Sequence, residues 1–459
     1  MKSLPNINSS SRFLRKKNNS KSMVSEQELK IIAKKTVEAM RIGRKPNSDG
    51  IRLAERDFGR KRIEKLLTHK WIDPKNLDKK AKEMCEKLKD PKYGPLIVEA
   101  KGKYFVKKEI GETVRIVYSE VEPEIKILVN YMKEFIWKKG AHVIDLTYSS
   151  KEARKHLQLS PFDAVAELPK TSIALAKTLD VRIFIGGEED IYWAKGLEWK
   201  LKLGARASEK IHQIIDRRKV RWLYFGWPVR KNEYFVDENE YFKVFYESIK
   251  QTFSKKTRKL CRFYEEKLKN ANKIRITADD GTDLTFSIRG RPVLVADGII
   301  DEEDLRRGDV GLNIPDGEVF VAPREYSANG YIKFDWVPIH GFGLVRDLEI
   351  KFKDGKVVWF NSPQKKIFKK FLDVNTGDKD RIAELGIGTN PAAKPIGETI
   401  VDEKIFGSIH IAIGNNRGAY HGKNKASSHL DMIKIMKGVN GRLYVDGKLI
   451  MDDGMPVRK

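Results

Sequence analysis

Apolar and polar positions alternate with two different periods along the chain, and the change of period divides it. Across residues 26–40, Leu29, Ile32, Ala33 and Val37 recur at the spacing of one helix face. Residues 52–90 are charged and helical in character, with breaks near Pro74 and Pro91. Residues 114–117 read as a short buried strand. Residues 122–138 follow as a helix with Ile125, Leu128, Met132 and Phe135 on its apolar side. Gly140 ends that helix, and residues 142–146 are the next strand. Helices over 171–178 and 207–217 then alternate with strands over 181–185 and 222–225, which predicts an open α/β sheet of parallel strands across residues 95–235. Residues 237–269 predict one long or broken charged helix. Past Ala271 the period drops to two. Leu284, Phe286 and Ile288 alternate with polar residues, and Asp354-Gly355 and Asp446-Gly447 are two-residue hairpin signals. The expectation is an antiparallel, curved or barrel-like sheet. Three regions follow: a basic, mostly helical extension over 1–94 with a disordered start, an α/β domain over 95–272, and a β-rich domain over 273–459.

Composition narrows the class. The 459 residues are 40% hydrophobic, enough for a substantial core, and no apolar run approaches the roughly 18 residues a membrane helix needs. Two cysteines exclude a disulfide scaffold and a Cys-rich zinc module. The expectation is a soluble cytoplasmic protein. The net charge is +26, but residues 281–459 hold 27 basic and 25 acidic side chains, leaving +24 on residues 1–280. A nucleic-acid reading of the excess charge therefore applies to the N-terminal half, where no recognised binding motif occurs. Residues 1–22 contain six basic residues and no acid. They read as a solvated tail, and an organellar transit peptide has a similar make-up. The strand at 114–117 leads into Tyr118-Ser119-Glu120-Val121, so a Gly-rich dinucleotide or phosphate loop has no support.

Candidate chemistry lies in the second half. In the strand pattern around His410, Ile409, Ile411 and Ile413 take one face and His410 shares the other with Ala412. His429 and Asp431, two apart, point to one side of a strand. Imidazole and carboxylate aimed at one point suit a divalent metal, and equally a plain His–Asp hydrogen bond. Glu318 follows a turn into an apolar strand, and Glu384 sits among apolar residues and glycines. A carboxylate in such surroundings needs a partner, which could be a cation or an arginine.

Five stretches, in order, carry a resemblance: Gly281-Thr282-Asp283-Leu284, Asn313-Ile314-Pro315 through Glu318-Val319-Phe320, Ala383-Glu384-Leu385-Gly386, His410-Ile411-Ala412-Ile413-Gly414 and Ser428-His429-Leu430-Asp431. This half resembles the thermophilic metal-dependent aminopeptidase family of the aminopeptidase T (leucyl aminopeptidase) type. The resemblance implies two divalent ions per chain, zinc or cobalt and also manganese, held by Glu318, Glu384, His410, His429 and Asp431. It implies hydrolysis of the N-terminal peptide bond of short peptides by a water shared between the ions, with Glu384 in bridging or base duty. It also implies a homodimer with an enclosed site. The family's tyrosine after the first histidine has no counterpart at the expected place, which Arg417 occupies. Tyr420, His421 or Arg417 could supply the oxyanion donor, and Tyr420 is taken as the catalytic candidate. The competing expectation is a peptidase-like scaffold that binds nucleic acid or another polyanion through its basic half.

Overall fold

The computed structural model describes residues 24–187, 193–231, 234–340 and 342–458. The basic segment 1–22 lies outside the described residues. Five parallel strands form one sheet in the spatial order Gly311–Ile314, Arg221–Gly226, Val181–Gly186, Thr113–Ser119, His142–Tyr148. Four of them come from the predicted α/β stretch. The edge strand Gly311–Ile314 comes from far downstream, beyond the point where the hydrophobic period changes. One face of the sheet is fully apolar, with Val114, Ile116, Val181, Ile183, Leu223 and Phe225 buried. The helices Glu26–Ala39, Pro123–Lys138 and Glu238–Thr252 cover it with Leu29, Leu128 and Phe245. The charged stretch 237–269 breaks at Ser254, whose side chain accepts from the Thr257 amide and caps a second helix, Lys255–Leu268.

The second half folds into a large curled antiparallel sheet. Both hairpin signals are realised, with Asp354 and Asp446 at positive φ and their glycines following. Four adjacent strands matter most here: Glu318–Val321, Ile382–Gly388, Ser408–Gly414 and His429–Ile435, each antiparallel to the next. Their apolar alternates Val319, Leu385, Ile387, Ile409, Ile411 and Met432 fill the core under the sheet, where the helix Lys255–Leu268 packs Cys261 and Tyr264. A smaller unit over 47–106, with its own core of Ala54, Ile63, Leu66, Cys85, Leu88 and Tyr104, precedes both sheets. It contains a three-stranded sheet as well as the expected helices.

Candidate metal centre

Register alone puts the predicted side chains together. Glu384 lies opposite Ala412, which lies opposite Asp431. His410 lies opposite Gly386, and His429 lies opposite Gly414. Glu318 faces Gly388 on the next strand. Because strand side chains alternate, all five polar residues share one face. The positions between them on that face are Gly386, Gly388, Ala412 and Gly414, which leave the space that these side chains occupy. A Cβ at residue 386 would sit 2.0 Å from the His410 ring.

The five form overlapping groups. Glu318, Glu384 and His410 make one, and Glu384, His429 and Asp431 make another, each with its donor atoms within 4.8 Å of one another. Glu384 belongs to both. Its Oε1 lies 3.2 Å from His410 Nε2 and its Oε2 lies 3.2 Å from His429 Nε2. His429 Nε2 is also 3.3 Å from Asp431 Oδ1, while its Nδ1 lies 2.7 Å from the Asn415 carbonyl oxygen. That contact makes Nδ1 the donor and leaves Nε2 for the cluster. Glu318 Oε2 is buried without a hydrogen-bond partner, 3.6 Å from His410 Nε2. A buried carboxylate oxygen left unbonded, among nitrogen and oxygen donors only, fits a hard or borderline divalent cation.

The electrostatics say the same. Burial would lift the Glu384 carboxyl, but bonds from His410 and His429 hold it well below the usual carboxylate range. Burial would depress the His410 imidazole, yet Glu384 and Glu318 push it up to about 9, and Asp431 and Glu384 raise His429 well above its ordinary value. Clustered carboxylates thus pull positive charge into the site, as protons or as a metal.

Two residues of the cluster were not anticipated. Glu403 forms a third group with His410 and Asp431. Lys404, wholly buried, reaches Glu318 Oε1 at 2.5 Å and Glu403 Oε1 at 2.7 Å. Their signal in the sequence is the charged triplet Asp402-Glu403-Lys404 set between Val401 and Ile405, just before the His410 strand. Asp402 itself ties down this segment, accepting from Trp336 Nε1 at 2.6 Å and from the Ile396 and Gly397 amides.

Of the three residues considered as oxyanion donors, the structure brings only one to the cluster. The short turn Gly418–Tyr420 turns the Tyr420 ring inward, with its centroid 6.0 Å from His429 and 5.4 Å from Phe320. Its hydroxyl interacts with Glu384, and burial, then the Glu384 and Asp431 charges, raise its pKa well above the ordinary value. Arg417 is exposed, and His421 lends its backbone carbonyl to Arg291. His340 lies on a cavity wall and belongs to none of the three groups.

That cavity, of about 900 Å³, opens between the cluster and the carboxyl ends of the parallel strands. His429, Asp431 and Glu403 line one side. Tyr148, Phe184 and Tyr224 line the other, with Phe184 and Tyr224 stacked at 5.5 Å. The crevice at the carboxyl ends of an open parallel sheet is where such sheets bind ligands. Here the curled sheet closes it from above and supplies the polar groups.

The sequence matches the family described as thermophilic metalloprotease (M29) over residues 87–455. No curated protein matches it. Among solved structures the chain is similar to wild-type AmpT from Thermus thermophilus, with a TM-score of 0.58 and 18% identity over 76% of this chain and 94% of that one. It is also similar to 2,5-dihydroxypyridine dioxygenase from Pseudomonas putida KT2440, with a TM-score of 0.49 and 15% identity over 76% of this chain and 92% of that one.

Proposed function

The chain belongs to the thermophilic metalloprotease family M29, and we propose that it is a metal-dependent aminopeptidase with a two-ion centre. The observation that carries this reading is the sharing of Glu384 between two ligand groups that otherwise use different side chains. Glu318 and His410 would hold one ion, His429 and Asp431 the other, and Glu384 both. Divalent ions, when bound, lower the pKa of a water and polarise the scissile carbonyl.

The rest of the work belongs to the protein. Glu384 has both oxygens directed at imidazoles, which suits bridging better than proton transfer. Glu403, on the cavity wall beside His410 and Asp431 and held through one oxygen by Lys404, is the carboxylate that takes a proton from the attacking water and returns it to the leaving amine. Lys404 holds Glu318 and Glu403 in place and offsets part of their charge. The Tyr420 hydroxyl donates to the oxygen of the tetrahedral intermediate. The apolar and aromatic wall takes the side chain of the N-terminal residue, and the cavity size favours short peptides over folded chains.

Protein stripped with a chelator and reloaded with zinc, cobalt or manganese should hydrolyse aminoacyl anilides, and metal analysis should return two equivalents per chain. Failure of every ion to restore hydrolysis would sink the proposal.

A further inference from the structure

The cavity beside the cluster carries a cation that the catalytic reading leaves unused. Arg346 stands on its wall together with His429 and Asp431. The strand register places it relative to the cluster. His410 is opposite Ile433, Ile433 is opposite Trp336, and Trp336 is opposite Arg346. Residues directly opposite across a sheet share a face, so Arg346 projects on the same face as His410. Its neighbour Val345 points the other way, into the core under the sheet. Neighbouring strands are about 4.8 Å apart, so the steps from His410 to Arg346 cover about 14 Å.

The guanidinium is held in place without being neutralised. It lies over the Phe235 ring, 4.5 Å from the centroid, and Phe235 leans in turn on Trp336 at 5.7 Å. Stacking of this kind fixes the plane of the group and leaves the N–H donors along its edge for a carboxylate. Among the described residues, Arg346 has no ion pair, and it is exposed. The acid next in sequence, Asp347, pairs with Lys333 at 3.2 Å. On the cavity wall, Glu398 pairs with Lys231 and accepts from the Tyr241 hydroxyl at 3.1 Å. Glu403 pairs with Lys404, and Asp431 lies beside His429.

We propose that Arg346 binds the free carboxylate at the C-terminus of the substrate, which makes tripeptides the preferred class. This inference rests on the aminopeptidase reading of the cluster and names its substrate. A peptide whose first carbonyl sits at the cluster lays its remaining residues along the cavity. Three extended residues span about 10 Å, and the Arg346 side chain, reaching inward, covers the remainder. In a longer chain the carboxylate passes beyond Arg346, and a neutral peptide group faces the guanidinium instead.

A guanidinium and a carboxylate form two parallel charged hydrogen bonds, so the pair discriminates between an acid and an amide more sharply than apolar contact does between side chains. Arg346 is therefore a specificity-determining residue. It meets the substrate at the end remote from the scissile bond and takes no part in proton transfer.

The test compares Leu-Gly-Gly with its C-terminal amide on the full chain reloaded with zinc, cobalt or manganese. The free acid should be hydrolysed with kcat/KM at least about tenfold above the amide, the difference lying in KM. Arg346→Gln should bring the acid-to-amide ratio close to one. Arg346→Lys, which keeps the charge without the planar fork, should fall between, and it gives the reading if Arg346→Gln fails to fold. Lys351→Gln, further along the same strand and outside the cavity, should keep the wild-type ratio. A wild-type ratio near one, or an undiminished ratio in the Arg346 variants, overturns the proposal. Calorimetric titration with D-Leu-Gly-Gly and its amide, which resist cleavage, reads the same preference without turnover. There the acid should bind at least about tenfold more tightly to the wild type, and no more tightly than the amide to Arg346→Gln. Equal binding of acid and amide by the wild type removes the carboxylate site even if anilides are hydrolysed. Loss of anilide hydrolysis with every ion removes the aminopeptidase reading even if the acid binds more tightly, so the two fail separately.

Discussion

With one carboxylate oxygen toward His410 and the other toward His429, Glu384 joins two ligand groups that the fold brings in on different strands. Glu384→Gln should therefore lose bound metal together with at least about 100-fold in kcat, while far-UV circular dichroism stays unchanged. Glu403→Gln should lower kcat by a similar factor and keep its metal, which separates the proton carrier from the ligand. At the oxyanion, Tyr420→Phe should cost about 100-fold in kcat with little change in KM, and Arg417→Ala less than about twofold. A reversed order in that last pair would move the donor to Arg417. The five candidate side chains were legible because each stands out against its neighbours, such as a lone Glu384 among glycines or a histidine between isoleucines, but their reading as one metal set came only from the family resemblance. Glu403 and Lys404 were not, since a charged triplet between apolar residues reads equally well as an exposed turn. Nothing in residue type announces that Lys404 is wholly buried between two acids.

The two central strands of the cluster, Ile382–Gly388 and Ser408–Gly414, work by leaving side chains out. Gly386, Gly388, Ala412 and Gly414 sit between the ligands on the polar face. Gly386→Ala would place a methyl group 2.0 Å from the His410 ring, so the imidazole must turn away from Glu384. The expected outcome is loss of about one metal equivalent per chain with the melting temperature lowered by a few degrees only. Full retention of both ions would show that the ring can move without losing its role. The strands themselves were readable from the alternation of isoleucines with polar or small residues. The hairpins were readable from Asp-Gly pairs, because only a residue tolerant of positive φ closes a two-residue turn. The break at Ser254 was half-readable, as a helix cap looks like any serine until the next amide lies over it.

The whole molecule adds a pH dependence. His410, lifted by its carboxylate neighbours to about 9, and Glu403, lifted by burial to about 7, hold protons in the folded metal-free chain that the unfolded chain has released by about pH 6.5. The stability carried by the His410 proton is fully present below about 6.5 and is lost as pH rises through about 9. Glu403 adds a loss of the same sign as pH rises from 4.5 through about 7. The thermal midpoint of chelator-treated protein should therefore fall between pH 6.5 and 9, and metal should flatten the fall by replacing those protons. A midpoint that rises with pH across this window would contradict the assignment. The net charge of +26 likewise takes its meaning from the assembled chain. All but +2 of it lies on residues 1–280, outside the half that carries the candidate metal centre. Local order fixed what could be read in advance: hydrophobic period, turn chemistry and the candidate polar side chains all depend on residues a few positions apart. Sheet order depends on contacts hundreds of residues apart, and no periodicity encodes it. Only folding could set Glu318 beside Glu384, add Gly311–Ile314 to a sheet begun at Thr113, and open the cavity between the two sheets.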